Sequence, residues 1–316
     1  MPRLLGYTHP ACLAHETGSG HPECAERLGA VLEAVHDAFP GLEWIEAPRA
    51  TRGQLLRVHE DRLLATVLSP APAANLHLDP DTVLSPGSPE AALRAAGAGI
   101  AAVEAVMHGE TDLAFCAVRP PGHHATGDAA MGFCLFNNIA VAAAHALERF
   151  GLGRVAIVDF DVHHGNGTQA IFEHEPRVLY LSSHQSGIFP GSGAGNERGA
   201  GNIVNVPLPP GSGSQAFRGA WSGQLLPALD AFAPQLMLVS AGFDGDRRDP
   251  LAQLALEPAD FGWLTGELAA LAARHAEGRM VSMLEGGYHL QALQEGAVAH
   301  VSSLLAGAPP GDPGGC

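Results

Sequence analysis

The chain has few cysteines, no long apolar run and few charged side chains, and each shortage excludes a class of protein. Its five cysteines are an odd number without a CxxC pair, which argues against a disulfide framework and favours a reducing compartment. No run of about 18 apolar residues marks a membrane span, and the N-terminal segment lacks the apolar stretch of a signal peptide. These absences predict a soluble cytoplasmic protein with no membrane partner.

Basic side chains are also scarce. The sequence contains 17 Lys and Arg against 33 Asp and Glu, a net charge of −16 with histidine neutral. A nucleic-acid binder normally carries a basic patch, and none is present, so no nucleic-acid partner is expected. An acidic surface attracts cationic partners, although acidity also serves simply to keep a protein in solution.

Apolar residues make up 46% of the 316 residues, which is enough for a large core. Continuous apolarity without alternation predicts strands of a parallel sheet covered on both faces, at 112–118, 154–159, 178–182, 235–240 and 279–284. Alanine-rich segments between them predict helices at 89–107, 138–150, 213–232 and 258–276. The alternation predicts an α/β fold. No repeat or internal linker is visible, so we predict one domain over 1–308 and a flexible Gly/Pro-rich tail at 309–316.

Polar, glycine-rich loops follow these strands, at the edge where open α/β sheets form their sites. Asp161 and His163 lie at i and i+2 just past the second strand, so both side chains face one side. Asp244 follows the fourth strand and can supply a third ligand. One histidine and two carboxylates with an open position are typical of a catalytic metal site. His164 should point away from the ligands, which favours a structural role.

Two adjacent histidines, His123 and His124, follow the first strand on a loop that two prolines and a glycine hold to one path. Each ring needs an orienting partner, and Asp159 and Asn166 are the available candidates. An aspartate favours the charged form of its histidine, whereas a neutral asparagine does not. Because a base must be neutral before it accepts a proton, the histidine that contacts Asn166 is the better general base.

Three aromatic side chains occupy the other loops. Tyr288 follows Gly286 and Gly287, which allow a turn that larger residues could not follow, and its hydroxyl could donate to a developing oxyanion. Phe133, next to Gly132, and Phe189 could line a narrow channel for an alkyl chain. Taken alone, each phenylalanine is more often a core residue.

Together these motifs resemble the histone deacetylase family over about residues 5 to 305. They are RPPGHHA, DxDVHHGNGTQ, AGFDxxxxDPL and EGGY, in the family's order, and HPE with Arg27 also fits. The DPL and EGGY forms are similar to the class II branch, near bacterial histone deacetylase-like amidohydrolases and acetylpolyamine amidohydrolases. The resemblance implies an arginase-like fold, an eight-stranded parallel sheet sandwiched between helices.

The resemblance also implies roles for the residues already singled out. It assigns zinc to Asp161, His163 and Asp244. It makes His123 the histidine supported by Asp159, His124 the general base supported by Asn166, and Tyr288 the group that polarises the substrate carbonyl. The substrate-binding positions that it implies are Phe133, Phe189, Gly132, Gly286 and Gly287.

Two potassium sites, built largely from the backbone, are implied as well. The first comprises Asp159, Asp161, His163, Ser182 and Ser183, and the second comprises Phe172, Glu175 and Val178. The loop aspartate that grips substrate in class I has no clear counterpart, and Asp79 and Asp81 are the nearby candidates. No acidic gatekeeper of the polyamine-selective type is evident.

The implied activity is that of a zinc-dependent amidohydrolase, with one zinc ion per subunit, that deacylates acetylated lysine or a related amine. The alternative substrate is an acetylated polyamine. A two-metal ureohydrolase of the arginase type would need more carboxylate ligands than the motifs supply. A non-catalytic module that binds acyl-lysine or polyamine could lose His124 or Tyr288, yet both are present. The sequence leaves open the oligomeric state and the choice between zinc and iron.

Overall fold

The computed structural model describes residues 2–69 and 73–307, and its strands form one large sheet and one small hairpin. In chain order these strands are β1 Leu4–Thr8, β2 Glu43–Glu46, β3 Leu76–His77, β4 Val83–Leu84, β5 Leu113–Cys116, β6 Val155–Asp159, β7 Val178–Gln185, β8 Ile203–Leu208, β9 Leu236–Ala241 and β10 Met280–Leu284. The sheet has eight strands in the order β2-β1-β5-β10-β9-β6-β7-β8, and all neighbours are parallel. The antiparallel hairpin consists of β3 and β4. The predicted eight-stranded parallel α/β sheet is confirmed.

Helices fill the connections between the strands. They are α1 Ala25–Ala38, α2 Arg52–Leu55, α3 Asp61–Val67, α4 Ser88–Met107, α5 Asn138–Phe150, α6 Asn166–Phe172, α7 Ser214–Ala220, α8 Leu226–Phe232, α9 Pro258–His275 and α10 Leu290–Ala306. Within these layers α4 packs on α5, and α10 packs on both α1 and α9. Every residue of β5, β6, β7, β9 and β10 is buried, including the polar end of β7, and the apolar runs in these strands predict this burial.

Two predicted elements differ in the structure. The helix predicted over 213–232 is interrupted by a π-helical turn at Trp221–Leu225, between α7 and α8. Pro227 at the start of α8 has no N–H to donate to the preceding turn, which explains the interruption. The strand predicted to end at residue 182 continues to Gln185, because its last residues are buried and pair with β8 as far as Leu208.

The sheet order decides where the functional loops meet. The strands β5, β10, β9, β6 and β7 are consecutive neighbours, so the five polar loops leave one edge of the sheet side by side. This is the edge where the site of an open α/β sheet forms. The predicted tail at 309–316, including Cys316, lies outside the described residues. Among the described helices, none is both long enough and apolar enough to cross a membrane.

Candidate metal and catalytic site

The three predicted metal ligands lie together beyond the ends of β6 and β9, which are neighbours in the sheet. The Nδ1 atom of His163 is 3.1 Å from Asp161 Oδ1 and 3.1 Å from Asp244 Oδ2. All three residues are buried, and their potential ligand atoms lie within 4.8 Å of one another. A histidine nitrogen and two carboxylate oxygens therefore lie close enough together to bind one ion.

Backbone N–H groups hold the two carboxylates in place. Asp161 Oδ2 accepts from Gly286 N at 2.8 Å, and Asp244 Oδ1 accepts from Val162 N at 2.9 Å. A Cβ atom at Gly286 would overlap the carboxylates of both Asp161 and Asp244, so the site needs glycine at this position. Imidazole and carboxylate donors fixed in this way suit zinc or iron.

The charges of the cluster also fit a cation. Burial opposes a charge on His163, but its hydrogen bonds to Asp161 and Asp244 raise its pKa to about 10. Burial and the nearby charge of Asp161 raise the pKa of Asp244 to about 7. Two carboxylates thus crowd one buried space, and a divalent ion relieves the repulsion between them.

The histidine pair lies beside this cluster, and each ring has a different partner. His123 Nδ1 is 3.0 Å from Asp159 Oδ2, and His124 Nδ1 is 2.8 Å from Asn166 Oδ1. Burial opposes the charged form of both rings. The carboxylates of Asp159 and Asp161 nevertheless raise the pKa of His123 well above its usual value. Burial and the charge of His123 hold the pKa of His124 well below its usual value. His124 is therefore the neutral member of the pair.

The tautomer of His124 follows from its asparagine. The amide nitrogen of Asn166 faces the carbonyl oxygen of His124 at 3.4 Å and so turns Oδ1 towards the ring. Because Oδ1 can only accept, His124 donates from Nδ1 and keeps the lone pair on Nε2. That nitrogen is free to accept a proton.

One cavity of about 230 Å³ joins these groups to several of the predicted substrate-binding residues. Its lining includes the predicted residues His124, Gly132, Phe133, His163, Phe189 and Tyr288. A Cβ atom on Gly132 would lie 2.6 Å from the His124 ring and 2.9 Å from the Phe189 ring, so glycine allows the two rings to approach. Three further lining residues are Asp81, Ile188 and Leu251.

Comparison with known proteins identifies the family. Residues 21–304 match the family model described as histone deacetylase domain. The chain belongs to the histone deacetylase family. A histone deacetylase-like amidohydrolase of Pseudomonas aeruginosa is 45% identical, over 90% of this chain and 75% of that protein. The polyamine deacetylase HDAC10 of Homo sapiens is 39% identical, over 92% of this chain and 46% of that protein. The crystal structure of the HDA15 HD domain matches with a TM-score of 0.91 at 37% identity, covering 97% of this chain and 89% of that one.

In this family member the loop that carries Tyr288 is anchored from two sides. Arg27 is fully buried and donates to the carbonyl oxygens of Gly287 and Glu285 at 2.5 and 2.6 Å. Its guanidinium carbon lies 4.8 Å from the centre of the Tyr288 ring. On the other side, Asp249 Oδ2 accepts from the backbone N–H of Tyr288 at 2.7 Å. The tyrosine is therefore fixed by groups of opposite charge.

The histidine loop has an anchor that the sequence did not reveal. Glu285 Oε2 accepts from the N–H groups of Gly122 and His123 at 2.7 and 3.2 Å, and its Oε1 accepts from the Ser240 hydroxyl at 3.0 Å. Burial raises the pKa of this carboxyl to about 7. The available signal was a glutamate directly after a strand that is apolar except for one serine. His164, as expected, turns away from the ligands towards Ser192 and Gln169.

The residues of the first implied potassium site are neighbours in the structure. Asp159 pairs with Ser182 between β6 and β7. Gln185 N donates to Val162 O at 2.8 Å, so the end of β7 runs beside the loop that carries Asp161 and His163. The Ser183 hydroxyl instead accepts from Trp221 Nε1 at 3.0 Å. At the second implied site the main-chain oxygens of Phe172, Glu175 and Val178 do converge, but on the side-chain nitrogen of Asn202.

Proposed function

We propose that the chain is a zinc-dependent deacylase that hydrolyses acetyl-type amides of lysine side chains or related amines. The observation that carries this proposal is the position of His163, between the carboxylates of Asp161 and Asp244 and in the same cavity as His124 and Tyr288. Asp161, His163 and Asp244 would hold the zinc ion, which would supply Lewis acidity to the amide carbonyl and lower the pKa of a bound water molecule.

The remaining steps belong to side chains of the chain. His124 accepts a proton from the attacking water at Nε2 as the new C–O bond forms. Tyr288 donates its O–H to the oxyanion that develops on the carbonyl oxygen. A protonated histidine then gives a proton to the leaving nitrogen, the C–N bond breaks, and acetate and the free amine depart.

The shape of the cavity supports an aliphatic amine as the substrate. Phe133, Phe189 and Leu251 surround the path to His163, so they suit the methylene stem that lysine and polyamines share. Asp81 is the acidic residue among those that line the described cavity. Burial and the neighbouring Asp79 raise the pKa of its carboxyl. An ionised Asp81 could accept from a peptide N–H or pair with the second amine of a polyamine.

A substrate panel tests the proposal. Zinc-loaded protein should release acetate from an acetyl-lysine peptide, acetylputrescine or acetylspermidine, and the kcat/KM values rank these classes. A hydroxamate chelator should abolish release, and metal analysis should find one zinc ion per subunit. Because the chain contains no lysine, amine-reactive detection of the product has no background from its side chains. Binding of these compounds without acetate release would instead support the non-catalytic module.

Asp81→Asn separates the two substrate classes. The carboxamide keeps an oxygen that accepts from a peptide N–H but loses the charge that pairs with an ammonium group. We therefore expect Asp81→Asn to leave kcat/KM for an acetyl-lysine peptide nearly unchanged and to lower it for acetylspermidine. Equal effects on both substrates would argue against a role of Asp81 in choosing between them.

A further inference from the structure

Three main-chain carbonyl groups between α6 and β7 surround one buried side chain, that of Asn202 just before β8. The Asn202 Nδ2 atom lies 2.7 Å from Phe172 O, 2.8 Å from Val178 O and 3.1 Å from Glu175 O. Asn202 is only 4% exposed. These are the three carbonyls at which the family resemblance implied a second potassium ion.

The hydrogen bonds fix which end of the Asn202 amide faces the carbonyls. Its Oδ1 atom accepts from the backbone N–H of Ala200 at 3.0 Å. Rotating the amide would turn its oxygen towards three carbonyl oxygens and its NH₂ group towards the N–H of Ala200, so every contact would become repulsive. The NH₂ end of the amide therefore lies at the centre of the space between the main-chain carbonyls of Phe172, Glu175 and Val178, which we call the cradle.

A cation does not fit this cradle while the amide is there. Potassium would need oxygen ligands around it, whereas the space in front of the three carbonyls holds a donor nitrogen. Two of the carbonyls also accept backbone bonds, Phe172 O from Glu175 N at 2.9 Å and Glu175 O from Val178 N at 3.0 Å. The amide supplies the second partner of each oxygen without burying a full charge.

We infer that the side-chain amide of Asn202 replaces the second monovalent cation in this chain. The cradle joins the end of α6 to the start of β7. The helix α6 begins at Asn166, the partner of His124. With the amide in place of the ion, the position of α6 beside the site does not depend on potassium. The inference concerns the fold alone and does not depend on the proposed deacylase activity.

Anomalous scattering gives the most direct test. Crystals of the wild-type protein grown in potassium and then exchanged into rubidium or thallium salts should show no anomalous peak at the cradle, and Asn202 should keep its contacts with the three carbonyls. An anomalous peak within coordination distance of Phe172 O, Glu175 O and Val178 O, with the Asn202 side chain displaced, would overturn the inference.

A variant tests the same point in solution. Asn202→Ala removes the amide and leaves the three carbonyls short of a partner, so it should unfold at a temperature at least a few degrees below the wild-type value in potassium-free tetramethylammonium chloride. Replacing that salt with potassium chloride at equal ionic strength should stabilise Asn202→Ala by more degrees than wild type, because the opened cradle can then take a cation.

Asn205→Ala is the matched control. Asn205 lies on β8, is also 4% exposed and uses its amide nitrogen on the side chains of Gln169 and Glu197 instead of backbone carbonyls. Its loss should lower the unfolding temperature without changing the potassium dependence. If Asn202→Ala is as stable as wild type without potassium, the amide does not support the cradle and the inference fails. Should Asn202→Ala not fold, the wild-type anomalous map decides alone.

Discussion

Tyr288 differs from the other two tyrosines of the chain because it lines the cavity that holds His124 and His163. Burial raises the pKa of its hydroxyl well above the usual value, so Tyr288 stays protonated and can donate. We expect Tyr288→Phe to lower kcat on a small acetyl-lysine amide about 10²–10³-fold, as for the loss of one oxyanion donor, with little change in KM.

Tyr7→Phe is the control for that measurement. Tyr7 is buried in β1, away from the cavity, so the same loss of a hydroxyl should leave kcat close to the wild-type value. A Tyr288→Phe variant that turns over at a near-normal rate would show that the tyrosine does not stabilise the oxyanion.

In the proposed mechanism, Asn166 sets the pH range in which His124 can act as a base. Burial holds the pKa of His124 low, and the neutral amide of Asn166 adds no charge that would raise it strongly. Asn166→Asp would place a carboxylate at the same position and raise that pKa. Since the base works only when neutral, the acid limb of the kcat/KM profile should move upwards by about one pH unit or more. An unchanged or downward-shifted limb would argue that His124 is not the base.

At the scale of elements, two loops that follow different strands fix the position of Tyr288. Asp249, in the loop after β9, accepts from the backbone of Tyr288 and His289, in the loop after β10, at 2.7 and 3.3 Å. The other oxygen, Asp249 Oδ1, accepts from the backbone N–H of Leu251 at 3.0 Å, so Asp249→Asn would turn an amide donor either towards Leu251 or towards Tyr288 and His289. We expect kcat to fall by up to about 10²-fold through misplacement of the tyrosine, while KM changes less.

Asp246, in the same loop as Asp249, provides the control for general damage to this loop. Asp246 pairs with Arg248 and makes no hydrogen bond to the tyrosine loop. Asp246→Asn should therefore lower the melting temperature without a selective fall in kcat. Equal losses of kcat in both variants would mean that Asp249 stabilises the loop without positioning Tyr288.

The strands and the loop anchors show how much of this structure the sequence predicts. Unbroken apolarity identified β5, β6, β9 and β10, because a strand that is buried on both faces consists mainly of apolar residues. It could not identify β2, an edge strand with a half-exposed Glu43–Glu46 sequence. Loop order predicted which side chains would meet. Anchors such as Glu285, which holds the backbone of Gly122, join positions 163 residues apart and leave no local pattern.

At the scale of the whole molecule, buried neutral histidines should make the fold sensitive to acid. Burial is the main cause in each case, and the lowered pKa values are about 4 for His15, about 4 for His59, about 3 for His184 and about 3 for His300. In the unfolded chain these groups titrate near pH 6.5. Between about pH 6.5 and 4 these four histidines therefore bind more protons in the unfolded chain than in the folded one, so their contribution to the free energy of unfolding should fall as the pH falls. The raised pKa values of Asp244 and Glu285, about 7 for each, act in the opposite direction.

The contribution of a single histidine to this pH dependence can be measured at His59. Its Nε2 atom accepts from Asn137 N at 2.9 Å, and its Nδ1 atom faces Thr126 O at 2.9 Å, so both nitrogens are engaged in the neutral form. His59→Gln removes the titration. Urea unfolding at several pH values should give a slope smaller than that of wild type by up to about 1.4 kcal/mol per pH unit between pH 6.5 and 4. His36→Gln, at an exposed position of α1, should keep the wild-type slope. If His59→Gln also keeps that slope, His59 takes up its proton in the folded state as readily as in the unfolded one, and the acid sensitivity must arise elsewhere.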